Sequence, residues 1–216
     1  MARIGLFGGT FNPIHVGHLT IAEEARLAGQ LDRVIFIPSG DPYMKDPLRL
    51  APRAARLEMV RRAAGVDPDH YAVSDCEVRR EGPSYTCETA AAFRAEYPSD
   101  ERFLILGANS LLEIETWRQP EKIFDAVDVL AFARGGVDGR ALRDKAAALR
   151  RRYGARIELI ETFGLALSAS DVRGWIAGGH AFRHLVTEPV YRYILREGLY
   201  GADPAKYGQS RDIDNP

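Results

Sequence analysis

Short apolar runs alternate along this chain with longer stretches in which apolar residues recur every three or four positions. The runs Arg3–Gly8, Arg33–Pro38, Tyr71–Val78, Arg102–Gly107, Asp128–Ala133 and Arg156–Ile160 predict six strands. Most are continuously apolar rather than alternating, as strands covered on both faces are. Helical spacing is carried by His18–Ala28, Arg53–Ala64, Thr86–Glu96, Glu121–Ala126 and Gly139–Tyr153. Two more helices are expected near Ser170–Ala177 and Glu188–Glu197. Regular β–α alternation predicts an α/β protein, Rossmann-like and doubly wound. Its sheet should be mainly parallel, with helices on both faces and a small C-terminal helical segment. One domain is expected over residues 1–200, followed by a flexible polar tail over 201–216. Ser39–Pro52 holds three of the twelve prolines and reads as a long surface loop.

Composition narrows the function. The 216 residues include 29 Lys+Arg against 30 Asp+Glu, a formal net charge of −1. That balance argues against a general nucleic-acid binder, which needs surplus cations to displace counterions. Arg150-Arg151-Arg152 closes a helix, where cations suit the C-terminal end, and reads as a solvated face. The two cysteines, Cys76 and Cys87, form no CxxC pair, so neither a disulfide framework nor a zinc ribbon is indicated. The opening MARIGLFGGT has no stretch long enough for a signal peptide or a membrane span, so a cytoplasmic enzyme is expected.

The chemistry concentrates where the first strand runs into Gly8-Gly9-Thr10-Phe11-Asn12-Pro13-Ile14-His15-Val16-Gly17-His18. Ligands of open α/β sheets sit beyond the carboxyl ends of strands. Glycines there let backbone N–H groups approach a phosphate, and a helix opening just afterwards adds donors and partial positive charge. Neither GxGxxG nor the P-loop is present. Two histidines three apart also admit a helix-cap or core role, or a pair of metal ligands, although no HExxH accompanies them. Their place directly after a strand and a glycine turn favours a phosphate site.

The segment GGTFNPIHVGHL resembles the nucleotidyltransferase signature and, in detail, that of bacterial nicotinate-nucleotide adenylyltransferases. Three further stretches fit the same family in order. They are Arg80–Thr86 (REGPSYT), Leu106–Ser110 (LGANS) with Trp117 downstream, and Leu167–Arg173 (LSASDVR). The ending Glu188-Pro189-Val190…Tyr193-Ile194…Leu199-Tyr200 is similar to that family's last helix. The resemblance runs from about Ile4 to Tyr200.

It implies transfer of the adenylyl group of ATP to nicotinate mononucleotide, with release of pyrophosphate, in NAD biosynthesis. Nicotinamide mononucleotide or another phosphorylated acceptor is the alternative, and a nucleotide-sensing module without turnover is a reading from another class. His15, His18 and Arg173 are implied as catalytic residues. Gly8, Gly9, Thr10, Phe11, Lys45, Gly107, Arg134, Ser168 and Ser170 are implied to bind ATP and its phosphates. Thr86, Asn109 and Trp117 are implied to hold the mononucleotide, through a donor at a helix start, a ribose contact and a stacking face. Mg²⁺ is implied, bound through ATP phosphates and water rather than protein side chains. The partners are the two small substrates, with no nucleic acid and no membrane, and a homo-oligomer is left open. Three positions depart from the family pattern: Met44 replaces a common histidine, Ala169 a hydroxyl residue and Asn109 an aspartate. Taken by itself, Ser168 reads as an ordinary N-cap, and Asn109 could cap the helix after the fourth strand.

Overall fold

In the computed structural model, the described residues are 1–42, 50–133, 139–162, 165 and 167–207. Six strands form one sheet: β1 (Arg3–Gly9), β2 (Arg33–Pro38), β3 (Tyr71–Val73), β4 (Glu101–Gly107), β5 (Asp128–Ala133) and β6 (Ile157–Glu161). Their order is β3-β2-β1-β4-β5-β6, and every neighbouring pair is parallel. The strand order reverses between β1 and β4, which opens a crevice at their carboxyl ends. The expected doubly wound sheet is the observed one.

Nine α-helices among the described residues cover both faces. They are α1 (Val16–Ala28), α2 (Arg53–Ala64), α3 (Cys76–Arg79), α4 (Thr86–Glu96), α5 (Ala108–Glu113), α6 (Pro120–Ala126), α7 (Gly139–Tyr153), α8 (Ala169–Ala177) and α9 (Glu188–Arg196). Alternate residues of the strands feed two separate cores. Phe7, Val34, Phe36 and Phe103 pack with α1, α2, α8 and α9, whereas Ile4, Leu6, Ile35 and Leu106 pack with α4 to α7. Burial on both faces explains why the strands read as unbroken apolar runs.

The expected strand Tyr71–Val78 is half strand and half helix. Ser74 N–H still reaches Phe36 O at 3.0 Å, and the ladder then ends. Ser74 and Asp75 offer the backbone local partners instead: Cys76 N–H donates to Ser74 Oγ, and Arg79 N–H closes onto Asp75 O at 2.9 Å. Helix α5 is the helix after the fourth strand for which Asn109 was a candidate cap. It begins directly at the end of β4, with Gly107 as its N-cap residue.

Packing continues past residue 200. Ala202 is buried, and Pro204–Tyr207 form a 3₁₀ turn whose Tyr207 ring meets Phe182 edge-on at 5.4 Å. No helix among the described residues is long and apolar enough to cross a membrane.

Candidate active site

The end of β1 and the start of α1 are joined by the glycine turn. Phe11 sits in the left-handed region at φ 47°, a conformation costing a side chain of this kind about 1–2 kcal/mol. Its buried ring packs edge-on against Phe7 at 5.7 Å and His18 at 5.1 Å, which offsets that cost. Gly8 has open space where a Cβ would stand, so the turn is bare on its outer side.

His15 is the N-cap residue of α1 and is 2% exposed. Its backbone N–H donates to His18 Nδ1 at 3.2 Å, which puts the ring proton of a neutral His18 on Nε2. The two rings lie 3.8 Å apart between centroids. The fold therefore uses one histidine's backbone to orient the other's ring. The cap geometry leaves His18 Nε2 as the ring's donor at this helix start.

Helix α8 meets the same turn from the side. Arg173 Nη1 donates to Asn12 O at 2.7 Å, and its Nη2 donates to Ser170 Oγ at 3.1 Å. Ser168 caps α8: its Oγ accepts from Asp171 N–H at 3.1 Å and donates to Asp171 Oδ2 at 2.6 Å. These bonds with Ser168 hold the Asp171 carboxyl below the usual aspartate range. The helix starts at Ala169 rather than near Asp171, so Ser168 carries the cap that its sequence context suggested. The structure thus gathers Gly8–Phe11, His15, His18, Ser168, Ser170 and Arg173 around one turn. Lys45, with Met44 beside it, and Arg134 lie outside the described residues.

Two adjoining cavities open at the switch point. One, of about 590 Å³, is lined by Gly9, Phe11, His18, Gly107, Asn109 and Ser110 among others. The second, of about 360 Å³, has an apolar wall of Leu6, Ile37 and Leu106, and a polar end at Ser39, Glu77 and Thr89. Gly8, Gly9, Leu106, Ser110 and Trp117 border both. Thr86 lines the smaller cavity, and Trp117 lines both. Thr86 is the first residue of α4, so its N–H has no partner within the helix. Asn109 lies on the other side, with His18 and Gly107, and is an exposed residue inside α5 rather than its cap.

The sequence reading missed the support behind both cavities. Among the described residues, the buried polar and charged side chains are Asn12, His15, Ser39, Arg56, Glu77 and Thr89. Arg56 is 1% exposed and donates only to backbone: to Thr10 O at 3.0 Å, Ser39 O and Gly40 O at 2.6 Å each, and Ala51 O at 3.2 Å. Tyr200 O–H donates to Asn12 Oδ1 at 2.9 Å, tying the C-terminal segment to the turn. Burial pushes the Glu77 carboxyl above the ordinary glutamate range, although bonds from Thr89 and Ser84 and the charge of Arg80 oppose the shift. Nothing in the sequence separates Arg56 from the other arginines of its helix. Glu77 was hidden by the strand reading of its segment.

A glycine turn, a paired-histidine helix start and two cavities at the switch point of a doubly wound sheet define a nucleotide-binding α/β protein. The cytidylyltransferase-like family model matches residues 6–174. A relative from Symbiobacterium thermophilum, named "Probable nicotinate-nucleotide adenylyltransferase", is 42% identical over 200 residues, covering 93% of this chain and 96% of its own. One of the same name from Citrifermentans bemidjiense is 40% identical over 212 residues, covering 92% and 98%. The solved structure of Plasmodium falciparum nicotinic acid mononucleotide adenylyltransferase complexed with NaAD has a TM-score of 0.77 over 94% of this chain and 99% of that one. At 16% identity that likeness is one of fold. The chain belongs to the cytidylyltransferase-like family and, within it, to the nicotinate-nucleotide adenylyltransferases.

Proposed function

We propose that this protein joins ATP and nicotinate mononucleotide into nicotinate adenine dinucleotide, releasing pyrophosphate. The observation that carries the reading is the pair of cavities meeting across Gly8 and Gly9. Two substrates seated there present their phosphates to each other over the glycine turn. An oxygen of the acceptor's 5′-phosphate attacks the α-phosphorus of ATP, and the bond from that phosphorus to the β-bridging oxygen breaks. No covalent enzyme intermediate is needed, so the side chains position reactants and stabilise charge.

In this reading ATP occupies the cavity with His18, Gly107 and Asn109. The Nε2–H of His18 donates to phosphate oxygens where negative charge develops, and His15 holds its ring in register. Gly8, Gly9, Thr10 and Phe11 supply the turn, and Arg173, Ser168 and Ser170 flank it. Lys45 and Arg134 are assigned from the resemblance alone. The nicotinate ring stacks on Trp117, and its carboxylate meets the Thr86 N–H. Asn109 moves from the mononucleotide to the ATP side.

Mg²⁺ would be held by ATP phosphate oxygens and water rather than by side chains, and would supply charge neutralisation for the leaving pyrophosphate. The lining of the His18 cavity suits that arrangement, because it contains no carboxylate, and the described residues hold no cluster of metal-ligating side chains. The substrates are the only partners proposed, and the reaction is placed in the cytoplasm.

The test is pyrophosphate release from ATP and Mg²⁺ with a panel of acceptors. Nicotinate mononucleotide is expected to be the preferred one. Equal turnover with nicotinamide mononucleotide would move the protein to a dual-specificity role, and no turnover with any acceptor would leave a sensing module.

A further inference from the structure

The polar end of the smaller cavity and the back of the phosphate turn are joined by one buried chain of hydrogen bonds. Thr89 O–H donates to Glu77 Oε1 at 2.6 Å, and Ser84 also bonds the Glu77 carboxyl. Gly40 N–H donates to Ser84 Oγ at 3.0 Å. The same residue's carbonyl accepts from Arg56, whose guanidinium continues to Thr10 O in the turn. Gly40 is the node, its N–H bonded to Ser84 and its C=O to Arg56. A Cβ there would stand 2.3 Å from the backbone oxygen of Glu77, so the crossing closes only on glycine.

Each end of this chain sets donors that face a substrate. Residues 84 and 89 bracket Thr86, so Glu77 fixes both the loop leading into α4 and its first turn. At the other end, peptide planarity does the work. A Thr10 carbonyl held by Arg56 directs the following N–H, that of Phe11, the opposite way. A guanidinium can do this because its five donors lie in a fixed planar fork, which an ammonium lacks. Among the described residues Arg56 has no carboxylate partner, so its charge also stands behind the turn where phosphates arrive.

We propose that Glu77 and Arg56, joined through Ser84 and Gly40, are positioning residues that hold the acceptor wall and the phosphate turn in a single geometry. Arg56 lines neither cavity, and Glu77 stands at the polar end of the smaller one. The inference rests on the proposed assignment of the two cavities to acceptor and ATP.

Steady-state kinetics on purified variants test it, with melting temperature measured alongside. Glu77→Gln and Ser84→Ala are expected to raise the acceptor KM about tenfold and leave the ATP KM within about twofold, the size of one lost positioned hydrogen bond. Arg56→Lys, which loosens the turn that borders both cavities, and Gly40→Ala are expected to raise both KM values. Glu77→Gln and Ser84→Ala decide the matter if Arg56→Lys does not fold. KM values that stay at wild-type levels while melting temperature falls would overturn the proposal, and so would equal shifts in both KM values in those two variants. A wild-type protein that forms no dinucleotide would instead defeat the functional reading. The positioning roles are then read from separate equilibrium titrations with ATP and with the mononucleotide, judged by the same selectivity.

Discussion

The two sides of this site are built in different ways. The side proposed for the phosphates is local: Gly8 to His18 is one continuous stretch, braced by a second, Ser168 to Arg173. The side proposed for the acceptor is assembled from several stretches, within residues 6–10, 37–42, 77–90 and 104–117. Phosphates are bound by backbone donors and helix starts, and a short contiguous turn presents these together. A planar ring needs walls on several sides, which only the crossing of several elements provides.

The sharpest way to break the comparison is at His18. If the phosphate side carries the chemistry, His18→Ala lowers kcat by roughly 10²–10³-fold, the usual cost of losing one donor to developing charge. The fold should survive, since the half-buried ring contributes little to the core. Near-normal kcat at saturating ATP would shift catalysis elsewhere.

Next in size is acceptor choice. The Thr86 N–H is a donor, and a carboxylate accepts from such donors with both oxygens, whereas a carboxamide can turn an NH₂ against them. A donor left unpaired costs about 1–3 kcal/mol, so the acid is expected to exceed the amide in kcat/KM by tenfold to 10²-fold. Matched values for the two mononucleotides would remove Thr86 from recognition.

Asn109 sharpens the boundary between the sides. It lines the cavity containing His18, so Asn109→Leu should raise the ATP KM about fivefold, one hydrogen bond, and spare the acceptor KM. A rise confined to the acceptor KM would return it to the mononucleotide. The loss of a helix cap is not expected, because Gly107 holds that position.

The smallest expected effect concerns Glu77 and stability. Its raised pKa means that the folded protein holds a proton over a pH window in which the unfolded chain has released one. Stability contributed by this group is therefore lost as pH rises through that window. Arg80, Glu88 and Cys76 are the titratable groups that interact with it. Glu77→Gln has no proton to lose, so its melting temperature relative to wild type should climb between pH 4 and pH 8. A difference that is flat with pH would mean the carboxyl is ionised at no cost.

The expected and observed sheets agree because the strand signal is physical and local. Continuous runs such as RVIFIP and RFLILG are needed wherever both faces of a strand are covered, and no other element uses them so readily. The segment after Tyr71 departs because Ser74 and Asp75 offer hydrogen bonds that compete with an edge ladder, a contest that hydropathy does not record. Which cavity Asn109 lines was not legible for a similar reason. Its spacing from Gly107 was legible, but which side of the switch point it faces depends on α5, and LGANS contains no strong helix signal.

By itself, then, the sequence determined the alternation of elements, the doubly wound class and the contiguous phosphate turn with His15 and His18. All of these depend on period, chain direction and neighbours a few residues away. Only the tertiary structure decided that Arg56 and Glu77, written like solvated helix and strand charges, would be buried behind the site. A charged side chain is admitted to the interior when distant backbone groups converge to satisfy it. Here that convergence requires residues 10, 39, 40 and 51 to meet one guanidinium, and residues 84 and 89 to meet one carboxyl. No local pattern encodes such meetings, because they exist only once β1, β2 and α4 have been brought together.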